Sequence, residues 1–444
     1  VWFVPKCPST PPLEGGRPGG RGVANQPQDG YNATMIKRAL APRLLESLRD
    51  TPVVFLSGAR QSGKSTLAQG LAAGPYPARY LTMDDAAVLS AARGDPEAFL
   101  EGLKGPTVLD EVQFAPDLFP ALKANIDRDR RPGRFLLTGS ANILLLPRLA
   151  SSLVGRMEVL TLAPLAQAEL SGGTGLFPDA LFAGRPLPPV SKSIEKGEVT
   201  GMVLTGGYPE VVARSSKGRR EAWFGAYLTT LLQRDVRELS NIEGLGEMPR
   251  LLSLLASRAG QMVNYADLGR SIAIPQSTLK RYLGLLQGTF LVHALPAWSV
   301  NLGARAFKTP KLYVNDTGLM AYLLGVDQAR LAADAGLFGT LLENFVVMEV
   351  LKQCSWSRTR PAVYYYRAQT GVEVDLVLER RDGRVAAIEI KSSRTLDARD
   401  ARGLRFLQER LKEKFVRGVI LYFGDESVAF GRDIHAVPIQ ALWE

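Results

Sequence analysis

The first third of the chain alternates short apolar runs with amphipathic stretches. The runs are "PVVFLSG" (52–58), "ARYLTMDD" (78–85), "PTVLDE" (106–111), "RFLLTGS" (134–140) and "RMEVLTL" (156–162). Apolar strands separated by helical segments predict a parallel sheet covered by helices. Before them, "MIKRALAPRLLESLRD" from Met35 carries the spacing of an amphipathic helix. Residues 171 to 200 read as loop, residues 201 to 300 as mostly helical, and residues from 311 onward as mixed helix and strand.

Near the C-terminus, "VEVDLVLERRDGRVAAIEIKSS" (372–393) reads as two strands around a turn at Arg381, Asp382 and Gly383. Alternation places Val372, Val374, Leu376 and Leu378 on one face of the first strand, with Glu373 and Asp375 on the other. In the second strand Ile388 and Ile390 share a face, opposite Glu389 and Lys391. A helix, "LFGTLLENFVVMEVLKQ", precedes them and carries Glu343.

The chain has 444 residues, 46% of them hydrophobic and 22% charged. That suffices for two or three domains with full cores. No apolar run reaches the length of a membrane helix, and the opening residues lack the pattern of a signal peptide. Residues 1 to 34 are rich in Pro and Gly, are expected to be disordered, and read as an upstream extension before Met35. Two cysteines and two histidines exclude a disulfide framework and a Cys/His metal centre. Any metal would have oxygen ligands, which favours magnesium or manganese. These features read as a reduced, cytoplasmic protein with no membrane partner. A net charge of +10 favours a polyanionic partner, nucleic acid first.

"GARQSGKST" matches the phosphate-binding loop G-x-x-x-x-G-K-[ST], between a strand and a helix as the motif requires. Gly58, Ala59, Arg60, Gln61, Ser62, Gly63, Lys64, Ser65 and Thr66 would cradle ATP. Gly58 and Gly63 let the backbone wrap a phosphate, Lys64 reaches the β- and γ-phosphates, and Ser65 offers a hydroxyl to Mg2+. In "TVLDEVQ" Asp110 would hold the magnesium through water and Glu111 would polarise the attacking water. Thr138 or Ser140, at the tip of the next strand, would sense the γ-phosphate. Arg156, ending "SSLVGR", is either a finger reaching a neighbour's nucleotide, which needs a homo-oligomer, or a surface arginine.

These motifs resemble, in order, an AAA-family P-loop ATPase of bacteria and archaea, with "GARQSGKST", "LDEVQFAPDLF", "LTGS" and "SLVGR". The same family carries a C-terminal domain of unknown function. Its marks match "GGYPEVV" (206–212), "YLTTLLQRDV" (227–236) and "PKLYVNDTGL" (310–319). The resemblance covers nearly everything after Met35. It implies an ATP site and an AAA+ core, and says far less about biological role.

"VNYADLGRSIAIPQSTLKRYLGLLQGTFLVHAL" has the cadence of a winged helix-turn-helix. Gln276, Ser277, Thr278, Lys280 and Arg281 stand near the exposed start of the recognition helix, for DNA contact or for protein packing. The order Glu343, Asp375, Glu389, Lys391 resembles the PD-(D/E)XK restriction-endonuclease-like superfamily. That resemblance implies Asp375 and Glu389 as magnesium ligands and Lys391 as a charge stabiliser, with Arg367 and Gln369 near the same edge. Many proteins keep this fold only to bind DNA.

The expected class is α/β. A disordered extension (1–34) precedes an AAA+ core (35–170) and a linker (171–205). A helical and winged-helix part (206–305) and a nuclease-like part (306–444) follow. The expected function is an oligomeric ATPase that binds and remodels DNA, possibly branched four-way junctions in recombination or repair. The alternatives are a nucleotide-gated regulatory or defence switch acting on a protein partner, and an ATP-dependent magnesium nuclease.

Overall fold

The computed structural model describes residues 3–4, 34–140, 153–184, 187, 194–236 and 245–444. Most of the extension predicted to be disordered lies outside them. So do Ala141 and Asn142 of "FLLTGSAN" and Ser151 and Ser152 of "SSLVGR".

Five parallel strands form the N-terminal sheet: β1 Val53–Ser57, β2 Arg79–Thr82, β3 Thr107–Asp110, β4 Phe135–Gly139 and β5 Met157–Thr161. Their order is β2-β3-β4-β1-β5. Apolar side chains on both faces of β1 and β4 pack under helices, which is why these strands are continuous apolar runs rather than alternating ones. Because β1 lies between β4 and β5, the loop leaving β1 opens beside the ends of β3 and β4, where ligands of such sheets collect.

The helix predicted from Met35 begins only at Ala41 and runs to Asp50. Pro42 occupies its first turn, where the missing N–H costs nothing, but it disfavours helix before it. Residues 171 to 205 also depart from expectation. They include the helices Phe177–Leu181 and Lys196–Thr205.

Helices Tyr265–Ile272 and Gln276–Gly288 follow one another across a short turn. An antiparallel ribbon follows, β6 Val292–Leu295 paired with β7 Lys311–Val314. Then the 22-residue helix Ala335–Trp356 leads into a mixed six-stranded sheet. Its strands are β8 Ala362–Arg367, β9 Glu373–Glu379, β10 Val385–Ile390, β11 Phe415–Tyr422, β12 Val428–Gly431 and β13 Ile434–Pro438. The order is β8-β9-β10-β11-β13-β12. The helix Arg402–Leu411 makes the crossover between parallel β10 and β11.

Simple alternation fails in β9. Tyr364 pairs with Val377 but Tyr366 pairs with Val374, so β9 holds one extra residue. The bulge reverses the facing: Val374 packs with Leu404 and Leu407, whereas Leu376 and Leu378 join the cluster of Phe345 and Val346. Val374 and Leu376 therefore do not share a face. Asp375 and Leu376 together stand opposite Tyr365, and bulges of this kind re-aim a side chain.

Among the described residues no helix is long and apolar enough to cross a membrane.

Candidate active site

Gly58 takes φ 153° and Gly63 φ 94°. A Cβ on Gly58 would collide with the Leu162 carbonyl, so the loop's approach to the strand end requires glycine there. Gly63 opens the helix Lys64–Ala72 with no side-chain cap, so the helix start presents its backbone N–H groups to an anion. Lys64 is buried, its Nζ 3.0 Å from the Gly58 carbonyl, 2.9 Å from that of Ala59 and 3.1 Å from the Ser140 hydroxyl. Ser62 Oγ is buried without a partner.

The Ser65 hydroxyl donates to Asp110 Oδ1 at 3.1 Å. Asp110 also accepts from the hydroxyls of Thr138 and Tyr80. Burial, then Asp110, raises the Tyr80 pKa, so Tyr80 stays a donor. Glu111 adopts a left-handed backbone, φ 57°. Such strain in a residue with a Cβ persists where surroundings over-determine it. Its N–H reaches Thr138 Oγ1 at 3.2 Å, its carboxylate lies 3.3 Å from Ser140 Oγ, and Gln113 bonds to it. Lys64, Ser65, Asp110, Glu111 and Ser140 thus meet at one point. The uncapped helix start, the orphaned Ser62 hydroxyl and the Ser65–Asp110 pair fit a nucleotide phosphate and its magnesium.

Arg156 precedes β5, at the opposite end of the sheet from its own P-loop. It forms a two-pronged pair with Asp127 at 2.6 and 2.9 Å.

Two residues tie the loop to the rest: Arg38, which sequence did not single out, and Tyr227, marked only as the first residue of "YLTTLLQRDV". Arg38 donates to the Ser62 carbonyl and the Ala163 carbonyl, each at 2.7 Å, and to Glu169 at 3.0 Å. The Tyr227 hydroxyl reaches the Arg60 carbonyl at 3.5 Å and the buried Tyr208 hydroxyl at 3.0 Å. Tyr208 belongs to the "GGYPE" motif. In that motif the Gly207 N–H donates to the buried Asp316 at 2.7 Å, and Asp316 caps the helix Thr317–Leu324. Two of the three quoted C-terminal motifs, "GGYPEVV" and "PKLYVNDTGL", are thus halves of one joint.

At the start of the helix Gln276–Gly288, Gln276, Ser277, Lys280 and Arg281 are exposed and Thr278 is half-buried. Lys280 lies 5.4 Å from the Tyr265 ring centre.

On the acid face, Asp375 Oδ2 accepts the Ile390 N–H at 2.8 Å. Burial raises the Asp375 and Glu389 pKa values, and Asp375 raises that of Glu389 further. Lys391 lies 3.8 Å from Glu389 and 3.7 Å from Asp400. Arg367 pairs with Glu373 at 3.5 Å. Glu343 lies close enough for Asp375, after burial, to raise its pKa, and Lys311 stands beside both. Glu343 takes the Tyr313 hydroxyl at 2.8 Å and Lys311 Nζ at 3.1 Å, and Lys311 also pairs with Glu373 at 2.6 Å. Burial alone would lower the Lys311 pKa, but Glu343, Asp375 and Glu373 outweigh it and hold the ammonium charged. Among the described residues no three His, Cys, Asp or Glu side chains are arranged to hold a metal ion. An ammonium on the ribbon already sits among the acids, so the donor set does not fit a nuclease metal. Sequence signalled Lys311 only as part of "PKLY".

Residues 50–171 match an AAA domain. Residues 197–330 and 338–442 match two domains of unknown function, DUF8612 and DUF4143. The uncharacterized protein Rv2008c of Mycobacterium tuberculosis is 34% identical over 408 residues, covering 91% of this chain and 84% of that protein. The chain belongs to the Rv2008c family of AAA-domain proteins. Its Mycobacterium bovis relative, the uncharacterized Mb2031c, matches at the same identity and coverage.

Solved structures are more distant. The Thermotoga maritima RuvB Holliday junction branch migration motor is 20% identical, with 57% of this chain and 86% of that one covered, at a TM-score of 0.29. A Pyrococcus horikoshii signal transduction ATPase with a tetratricopeptide repeat sensor is 15% identical, with 72% and 47% covered, at 0.24. At these scores neither likeness carries a functional argument. The AAA domain implies nucleotide binding, with magnesium as its companion.

Proposed function

We propose that this protein hydrolyses ATP and uses the nucleotide state to act on DNA held by its C-terminal parts. The carrying observation is the convergence of Lys64, Ser65, Asp110 and Glu111 on the uncapped start of one helix. Lys64 would neutralise the β- and γ-phosphates. Ser65 and Asp110 would hold the magnesium, which supplies charge neutralisation at the phosphates. Glu111 would take a proton from the attacking water, and Ser140 stands where it reads the γ-phosphate. The path from Arg60 through Tyr227 and Tyr208 to the Gly207–Asp316 joint supports coupling between loop and C-terminal parts. Arg156 points away from its own nucleotide. A finger role would need a homo-oligomer and release from Asp127.

DNA as the partner rests on the charge of +10 and the exposed recognition-helix start. A branched substrate remains the proposed form of that DNA. A regulatory or defence switch on a protein partner is the second reading, favoured by the same joint, because a mechanical link needs no DNA. Magnesium-dependent cleavage is the third. The paired Asp375 and Glu389 favour it and Lys311 opposes it. Measuring ATP hydrolysis with and without DNA tests the first reading against the second. Incubating labelled DNA with the protein, Mg2+ and ATP tests the third, and intact DNA throughout would remove it.

A further inference from the structure

Three segments distant in sequence bring five arginines to one cleft of about 590 Å³. Arg43 and Arg49 come from the helix Ala41–Asp50. Arg358 and Arg360 come from the turn after the helix Ala335–Trp356, and Arg381 from the β9–β10 hairpin. Among the described residues the one carboxylate lining it is Glu46, 3.7 Å from Arg360. Arg49, Arg358 and Arg381 are exposed and form no ion pair with a described carboxylate.

Gathering like charges costs free energy unless an anion repays it. Here the chain holds them in place. Asp179 accepts from the Ser357 hydroxyl at 2.7 Å, the Thr359 N–H at 2.8 Å and the Arg358 N–H at 3.1 Å. Ser357 Oγ in turn accepts the Arg360 N–H at 3.3 Å. Arg360 takes a left-handed backbone, φ 44°, which an L side chain adopts at a cost. Arg43 bonds to the Ser355 carbonyl and lies 3.7 Å from Glu158, yet its Nε is buried without a partner. Trp356 lines the same wall, with its ring N–H tied to the Gly175 carbonyl at 3.0 Å.

We infer that this cleft is a phosphate site that grips a nucleic-acid backbone, an inference resting on the DNA-binding reading above. Guanidinium forks match phosphate oxygens two at a time, and an aromatic wall beside them suits sugar and base. The cleft joins the first helix of the AAA part to the C-terminal sheet, so a strand held there contacts both. It is separate from the acid face. Glu343 and Trp356 lie 13 residues apart on one helix, about 20 Å at the helical rise.

The test is anisotropy of labelled duplex, single-stranded and four-way-junction DNA with the full chain across a salt titration. Wild type is compared with R358A/R360A/R381A and with K280A/R281A. The expected result for the triple variant is an affinity loss of about tenfold or more and a salt slope smaller by about three. Its ATPase rate without DNA stays unchanged. Equal affinity and slope in the triple variant overturn the cleft while leaving DNA binding intact. Absence of DNA binding by wild type in every form overturns both. Arginine-dependent binding of poly-glutamate without DNA binding reassigns the cleft to an acidic protein and also overturns the inference.

Discussion

Lys311 on the ribbon strand β7 forms an ion pair with Glu373 on β9 at 2.6 Å, and so pins the ribbon to the mixed sheet. Lys311 lies in the stretch matching one domain of unknown function and Glu373 in the stretch matching the other. Replacing Lys311 by Met leaves Glu343 and Glu373 without their ammonium. The expected loss is about 2 kcal/mol, below the roughly 3–5 kcal/mol of a fully buried pair, because both carboxylates keep some water. Thermal melts measure it. Mn2+ is expected to restore part of the loss in the variant and to leave wild type unmoved. A wild type stabilised by Mn2+ without nucleotide, with the effect abolished in D375N, would contradict the account of this face.

In the proposed reading Glu111 acts on the attacking water and does not hold the nucleotide. Glu111→Gln is expected to lower hydrolysis by about 100-fold or more while ATP binding persists. Fluorescent-nucleotide titration alongside phosphate release separates the two. Loss of binding equal to loss of turnover would make Glu111 a structural residue.

The Gly207–Asp316 joint leaves no room for a side chain. A Cβ on Gly207 would strike the Leu165 carbonyl. Gly207→Ala is expected to cost about 1–3 kcal/mol, read as a lower melting temperature. If the joint transmits nucleotide state, the folded variant also loses any DNA effect on its ATPase rate.

His293 on β6 gives a pH signature. Burial disfavours its charged form and pulls its pKa down from 6.5 to about 4. Between those values the unfolded chain holds a proton that the folded chain does not. Stability therefore falls as pH falls through this window, by about 3 kcal/mol at most. Denaturant melts from pH 7 to pH 4 measure the slope, and His293→Gln is expected to flatten it.

The nucleotide loop was legible because its chemistry is local. Gly58 to Thr66 run from a strand into a helix, and the sheet brings Asp110 to Ser65 across β4, which lies between β3 and β1. The alternation of apolar runs gave the parallel core for the same reason. Other features depend on contacts that spacing cannot encode. The bulge at Asp375 and Leu376 comes from pairing with β8, and it undid a face assignment that simple alternation makes. Lys311 meets Glu343 and Glu373 across two separate elements, so "PKLY" alone carries no sign of a buried ammonium. Pro42 was visible, but the amphipathic spacing on both sides of it hid the later helix start.

The most direct test is ATP hydrolysis by the full chain with no DNA and with duplex, single-stranded and four-way-junction DNA, using Lys64→Ala as the blank. The account predicts a Lys64-dependent rate that rises with at least one form of DNA. A rate unchanged by every form, with no DNA binding, would contradict it and move the function to a protein partner.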